Sequence, residues 1–275
     1  MSTLTGPPPS PEPDEPTAAE LAEVNEAVEE TDVEGVAWYT DEGSGKVVVT
    51  TDATVSAGER SEIREAAGEE ADALVIKRTD GVFTPMVREA KPKKRAMYPG
   101  SAIYGSGVRC SMGFNVRKGN KHYLITAGHC GNQVRTWSAK VPKTQRIGPT
   151  VGYEYPGSDH ALVRYDTKAL KRPGGYSGGK AYVGRKVTRI GSTTGQHSGV
   201  ITGLDVTVRY TGGLMLWNMI QTNICAEPGD SGGPLFSGRK AIGITSGGVG
   251  GCPSRGVTFF EPIQDALKAY GVRLY

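Results

Sequence analysis

Glycine and proline punctuate this chain so densely that most of it cannot be built from long helices. The 39 Gly and 17 Pro make about a fifth of the 275 residues, well above the roughly 12% of an average protein. Glycine reaches the φ > 0 conformations that tight turns need, and proline withdraws a backbone donor, so both mark the ends of strands. Beyond Tyr98 the apolar stretches between them are short. Val206-Thr207-Val208-Arg209-Tyr210 alternates like a half-buried strand, and Ala241-Ile242-Gly243-Ile244 reads as a buried one. The pattern predicts a mainly β protein here, closed by one helix. Pro262 opens that helix, Ile263, Ala266, Leu267 and Tyr270 form its stripe, and Gly271 caps it.

The N-terminal third reads differently. Residues 1–34 form a tail, disordered by composition to about residue 16 and helical from Ala18 to Glu30, where Leu21, Val24 and Val28 share a face. Residues 35–90 read as strand (Val36 to Tyr39), strand (Lys46 to Thr51), helix (about Gly58 to Ala67) and strand (Ala73 to Lys77). That is a small α/β unit with little core of its own. Residues 91–97 read as a basic, cleavable linker, and 98–275 as the β domain.

Charge follows the same division. Residues 1–96 carry 21 Asp+Glu against 10 Lys+Arg, and the rest carry 8 against 22. An acidic segment tethered to a basic domain predicts electrostatic docking between them. The bases of the larger part are scattered, with no basic helix and no aromatic-basic platform, so no nucleic-acid partner is expected. No uncharged apolar run approaches the roughly 18 residues of a membrane helix.

Chemistry enters with Pro228-Gly229-Asp230-Ser231-Gly232-Gly233-Pro234. A serine among small residues is uncrowded, and glycines let a substrate carbonyl come close to backbone N–H groups. A Gly-rich turn alone would mean little. Upstream, however, Thr126-Ala127-Gly128-His129-Cys130 closes an apolar stretch, and a serine nucleophile needs such a base. The histidines are His122, His129, His160 and His197, so none follows Ser231. The order Ser, acid, His is therefore impossible, and an acid from the N-terminal unit would belong to another part of the chain. His, Asp, Ser remains. Asp159 opens the apolar strand Ala161-Leu162-Val163 and can be anchored against a core, whereas Asp166 and Asp205 read as solvated and Asp230 is too near the serine. The candidate catalytic residues are His129, Asp159 and Ser231.

Here a resemblance becomes specific. Cys110-Ser111-Met112-Gly113-Phe114-Asn115-Val116, the motif ending in Cys130, Asp159 before Val163-Arg164-Tyr165, Arg189 to Gly195, Cys225 to Ser231 and Thr245-Ser246-Gly247-Gly248 recur in order. From about Met97 to Tyr275 the chain resembles the streptogrisins, secreted bacterial serine proteases related to α-lytic protease. Gly35 to Pro85 is similar to their pro-segment. The resemblance implies two antiparallel six-stranded β-barrels of chymotrypsin type with the site between them, preceded by the α/β pro-segment.

The resemblance also implies roles. The N–H groups of Gly229 and Ser231 form an oxyanion hole. Ser246 supports Asp159, and Arg189 pairs with Asp230 to hold the serine turn. Ala226, Pro228, Thr245, Ser246, Gly247, Gly248 and Thr258 line a pocket for a large apolar or aromatic side chain. Four cysteines allow three connectivities; the family pattern pairs Cys110 with Cys130 and Cys225 with Cys252. No C-x-x-C or H-x-x-x-H spacing suggests a metal, and no cofactor is expected.

The partners expected are protein or peptide substrates and the chain's own pro-segment, on a monomer. Two rival readings are an inactive protease-fold binding module and an N-terminal segment working as inhibitor or folding chaperone. Met1 to Pro7 lacks the charged and apolar regions of a secretory signal, so secretion is expected from the family and the cysteines alone.

Overall fold

The computed structural model describes residues 16–85, 88–89, 97–141, 145–249, 251–254 and 256–275. The disordered tail expected up to about residue 16, and most of the basic linker, fall outside them.

The N-terminal unit opens with α1 (Ala18–Glu30), which Thr17 and Glu20 start as a capping box; β1 (Val36–Asp41) and β2 (Lys46–Thr51) follow. Next come α2 (Ala57–Ala66), capped the same way by Ser56 and Glu59, and β3 (Leu74–Arg78). In each box the hydroxyl takes one orphan N–H of the first turn and the glutamate returns to the cap N–H. β1 pairs antiparallel with β2, and β2 parallel with β3. Val24 and Val28 of α1 and Ile63 of α2 pack on Val36, Trp38, Val47 and Val49 in one buried cluster. α1 and β2 have the bounds expected from the sequence, β1 runs two residues further to Asp41, and α2 and β3 are each displaced by one residue.

Strand alternation gives β1 a second job. Ala37 points away from Val36 and Trp38 and joins a cluster with Val206, Val208, Tyr210 and Phe259 from the larger domain. Two short strands, β4 (Thr84–Pro85) and β5 (Arg88–Glu89), then lead toward that domain.

The first barrel holds β6 (Ala102–Gly105), β7 (Val108–Ser111), β8 (Asn115–Lys118), β9 (Lys121–Thr126), α3 (Gly128–Gln133), β10 (Thr136–Ser138), β11 (Arg146–Glu154) and β12 (His160–Arg164). β7 and β8 are halves of one bent strand. The first pairs with β6 and the second with β9, which closes the sheet and leaves six strands. Trp137, Tyr104, Phe114 and Met112 are among its fully buried side chains.

After β13 (Ser177–Gly178), the second barrel runs through β14 (Lys186–Gly191), β15 (Gly195–Tyr210), β16 (Leu214–Thr222), β17 (Pro234–Ser237), β18 (Lys240–Val249) and β19 (Val257–Pro262). The order β14-β17-β18-β19-β16-β15 closes through β14–β15 pairing. Then α4 (Ile263–Tyr270) ends at Gly271, whose φ of +60° places it in the left-handed region where glycine is unstrained. β20 (Arg273–Leu274) returns to pair with β8.

This is the mainly β, two-barrel fold expected. Beyond expectation, β1 pairs antiparallel with the outer edge of β15, Ala37 opposite Val208, so the N-terminal sheet continues the second barrel as one sheet.

Candidate active site

His129 sits in the first turn of α3, where the apolar run of β9 delivers it to the barrel end. Asp159 lies in the turn entering β12. Both are buried, His129 at 2% and Asp159 at 0% exposure. The carboxylate grips the imidazole twice. Its Oδ1 accepts the His129 backbone N–H at 2.9 Å, and Nδ1 lies 3.0 and 2.9 Å from Oδ1 and Oδ2. Burial pushes the Asp159 carboxyl up, but the charge and hydrogen bond of His129 and a hydrogen bond from Ser246 outweigh it and hold it below the usual aspartate range. Tyr210 Oη meets the same Ser246 hydroxyl at 3.1 Å. A carboxylate at Nδ1 keeps the proton there and leaves the lone pair on Nε2.

Ser231 occupies the turn before β17. Gly229 (φ +97°) and Gly232 (φ +83°) flank it in left-handed backbone. A Cβ on Gly232 would come within 2.0 Å of Thr126 Oγ1 and 2.8 Å of Ala127 N, so the serine turn is pressed against the chain two residues before His129. The Gly229 carbonyl is pinned by the hydroxyls of Ser111 at 2.8 Å and Ser192 at 3.0 Å. Among the described residues the N–H groups of Gly229 and Ser231 have no acceptor, whereas those of Asp230, Gly232 and Gly233 bond to the carbonyls of Glu227, Thr245 and Asp230.

The Ser231 hydroxyl donates to the Ser246 carbonyl at 3.4 Å, and His129 Nε2 has no partner among the described residues. The direct Ser231–His129 hydrogen bond is not made in this conformation.

The turn is held from below. Asp230 and Arg189 are both 0% exposed and lie 3.2 Å apart at Nη1 and Oδ2. Asp230 also accepts the N–H groups of Thr193, Thr194 and Glu227 and the Thr194 hydroxyl. Arg189 spends its other donors on the carbonyls of Cys225 and Gly195 and on Thr194 Oγ1. Disulfides join Cys110 to Cys130, next to His129, and Cys225 to Cys252, at the start of the serine loop.

Along the pocket segments, Thr245 donates its hydroxyl to the Gly233 carbonyl at 3.0 Å and Thr258 to the Ile224 carbonyl at 2.6 Å, while Ala226 is buried and Pro228 exposed. Gly247 and Gly248 are not open to solvent. β4 of the N-terminal unit pairs with them antiparallel, Pro85 opposite Gly247 and Thr84 opposite Gly248. A Cβ on Gly247 would stand 2.6 Å from the Thr84 carbonyl oxygen. Phe83, fully buried, anchors this strand edge-on against Phe259, and its N–H donates to the buried Asp52 at 2.6 Å.

Sequence reasoning missed Asp52, Tyr210 and Glu261. Glu261 is buried and accepts the Asp159 backbone N–H at 3.0 Å. A lone acid closing the apolar run Thr258-Phe259-Phe260 was the available signal.

Two closed β-barrels with a buried histidine–carboxylate pair on one and a glycine-flanked serine turn on the other define a chymotrypsin-type serine protease. Residues 94–269 match the trypsin family, and residues 17–71 the alpha-lytic protease prodomain. The chain is 41% identical over 265 residues to streptogrisin-A of Streptomyces griseus, across 93% of this chain and 83% of that protein. It is 43% identical over 271 residues to streptogrisin-D of the same organism, across 92% and 66%. A solved glutamic acid-specific serine protease that uses a histidine triad in substrate binding superposes with a TM-score of 0.61 at 40% identity, covering 64% of this chain and 99% of that one. This chain belongs to the trypsin family of serine proteases, in its streptogrisin group, and carries an alpha-lytic protease prodomain ahead of the protease.

Proposed function

We propose that this chain is a zymogen whose protease cleaves peptide bonds through His129, Asp159 and Ser231, with large apolar or aromatic residues preferred on the acyl side. The observation that carries the assignment is the double grip of Asp159 on the His129 backbone and ring. His129 Nε2 takes the Ser231 proton as the oxygen attacks the scissile carbonyl, then gives it to the leaving amine. The Ser231 side chain swings from the Ser246 carbonyl to Nε2 for that step, as catalytic hydrogen bonds often tighten only with substrate bound. The N–H groups of Gly229 and Ser231 receive the oxyanion, each contributing about 3–4 kcal/mol.

The domain division 1–34, 35–90, 91–97 and 98–275 is part of this proposal, with residues up to about 96 acting as a removable pro-segment. The pairing of Thr84 and Pro85 with Gly247 and Gly248 supports its inhibitory role, because a substrate would add its own strand to that edge. A carboxylate at the pocket floor would select basic residues, but Thr222-Asn223-Ile224 precedes Cys225. The glutamate-specific relative uses histidines, and this chain has none after His197. Two disulfides suit an oxidising compartment and none of the described helices is long and apolar enough to cross a membrane. We infer secretion and a monomer working on protein substrates.

Peptide amides ending in Phe, Leu, Arg and Glu test the preference. The highest kcat/KM is expected for Phe or Leu, and a highest value for Arg or Glu would overturn the pocket reading.

A further inference from the structure

Next to Asp159 lies a cluster of buried ionisable groups that peptide hydrolysis, as described above, leaves unused. Glu261 closes β19 of the second barrel at 1% exposure, and its Oε2 accepts the Asp159 backbone N–H at 3.0 Å. That bond crosses from one barrel to the other. Its Oε1 faces His160 Nε2 at 3.8 Å, and Glu154 Oε2 approaches the same nitrogen at 3.5 Å. His160 is also 1% exposed.

The tautomer of His160 follows from Tyr270. Tyr270 Oη donates to the His160 carbonyl at 3.0 Å and lies 2.8 Å from His160 Nδ1. A phenol has one proton, so with that proton committed its oxygen accepts from Nδ1–H. Neutral His160 then turns a lone pair on Nε2 toward two carboxyl groups. Glu154 is 55% exposed and keeps its water, but the Glu261 carboxyl is buried with one N–H donor and no Lys or Arg beside it among the described residues, so a negative charge there would go unpaired unless a proton neutralises it.

We propose that Glu261 is a positioning residue that works as a neutral acid: its carboxyl accepts the Asp159 N–H across the barrel interface without adding charge, and loss of its proton at alkaline pH sets a second buried negative charge against Asp159, which pushes the turn away and lowers catalysis. The inference rests on Asp159 being the acid partner of His129. A neutral Glu261 leaves Asp159 as the carboxylate that pairs with the imidazolium. An ionised Glu261 would place a second buried negative charge beside it.

The surroundings favour that proton. Asp159 and His160 face Glu261 from the β12 turn, Glu154 from β11, and Asp265 and Tyr270 from α4. Burial, opposed by the Asp159 N–H bond and helped by the charges of Asp159, Asp265 and Glu154, pushes the Glu261 carboxyl up to about 9. Burial draws His160 down despite the nearby Glu154, Asp159 and Asp265. The proton therefore belongs to Glu261 rather than to the imidazole.

The test compares the active protease with its Glu261→Gln and Glu261→Leu variants. Glutamine keeps an oxygen for the Asp159 N–H but cannot titrate. We expect the kcat of the parent to fall above about pH 9, by about tenfold per pH unit as for one ionising group. Glu261→Gln should hold its plateau through that range. Glu261→Leu should lose kcat at every pH with KM little changed, because the Asp159 N–H loses its acceptor.

An alkaline limb shared by parent and Glu261→Gln, or absent from the parent, would overturn the proposal. Infrared spectra give a readout independent of activity, and serve if Glu261→Leu does not fold. At neutral pH the full-length Ser231→Ala chain should show a buried carboxylic-acid carbonyl band that Glu261→Gln removes. Lack of that band in the chain carrying Glu261 would also overturn the proposal. Asp159→Asn separates the two readings: if it keeps full kcat, the Asp159 assignment fails, whatever the infrared band of Glu261 shows.

Discussion

Replacing Arg189 with methionine should unfasten the serine turn, and the structure sets the size of the effect. Arg189 and Asp230 are both fully buried and 3.2 Å apart. Removing one member of such a pair strands the other charge, at a cost of about 3–5 kcal/mol. Asp230 keeps the N–H groups of Thr193, Thr194 and Glu227 and the Thr194 hydroxyl, which favours the lower end. Against that, the buried carbonyl of Cys225 loses its guanidinium donor, and an abandoned buried acceptor costs about 1–3 kcal/mol. The balance is a loss of about 4 kcal/mol. Urea unfolding of the full-length chain, in a Ser231→Ala background to prevent self-digestion, measures it. The double variant with Asp230→Asn should recover at least about 1 kcal/mol, since it removes the stranded charge. A loss below about 1 kcal/mol for Arg189→Met, or strict additivity with Asp230→Asn, would refute the view that this pair holds the turn.

Two further predictions concern other contacts. The folded-state pKa of Asp159 is depressed, so its contribution to stability is present above the ordinary aspartate value and is lost as pH falls through the folded one. Asp159→Asn should flatten that acid limb in pH-dependent unfolding, and an unchanged limb would contradict the assignment of the shift. At the junction with the pro-segment, Arg209 is 5% exposed and donates to the Glu29 carbonyl at 2.9 Å, while its partner Asp32 is 96% exposed. The screened ion pair should matter little. Asp32→Ala should barely change pro-segment retention after cleavage, whereas Arg209→Ala should weaken it about tenfold or more through the buried charged donor; equal effects in a pull-down would refute this ranking.

How much was legible in the sequence depended on how local each feature is. The segments around His129 and Ser231 announce themselves because one short motif carries both the functional side chain and the glycines that frame it. The closing helix was equally plain, with its stripe from Ile263 to Tyr270 and Gly271 beyond. The six-residue α3 that carries His129 has no such stripe and went unseen. Docking of β1 on β15 is a matter of register between segments some 170 residues apart, and alternation within Val36 to Asp41 says only that both faces are occupied. Glu261 was hidden for a related reason. β19 is buried on both sides across Thr258 to Glu261, so an acid there cannot be assigned to an outer face by counting twos. The direction of the Ser231 hydroxyl is a single χ1 choice, below what residue identity specifies.

The central claim, that Ser231 is a nucleophile raised by the His129–Asp159 pair, is tested most directly by a fluorophosphonate probe with peptide mapping. The protease freed of its pro-segment should take up one label, on Ser231, and Asp159→Asn should take it up far more slowly. The full-length chain should react more slowly than the freed protease, because Thr84 and Pro85 cover the Gly247–Gly248 edge. Labelling on another residue, or undiminished labelling of Ser231→Ala, would contradict the account.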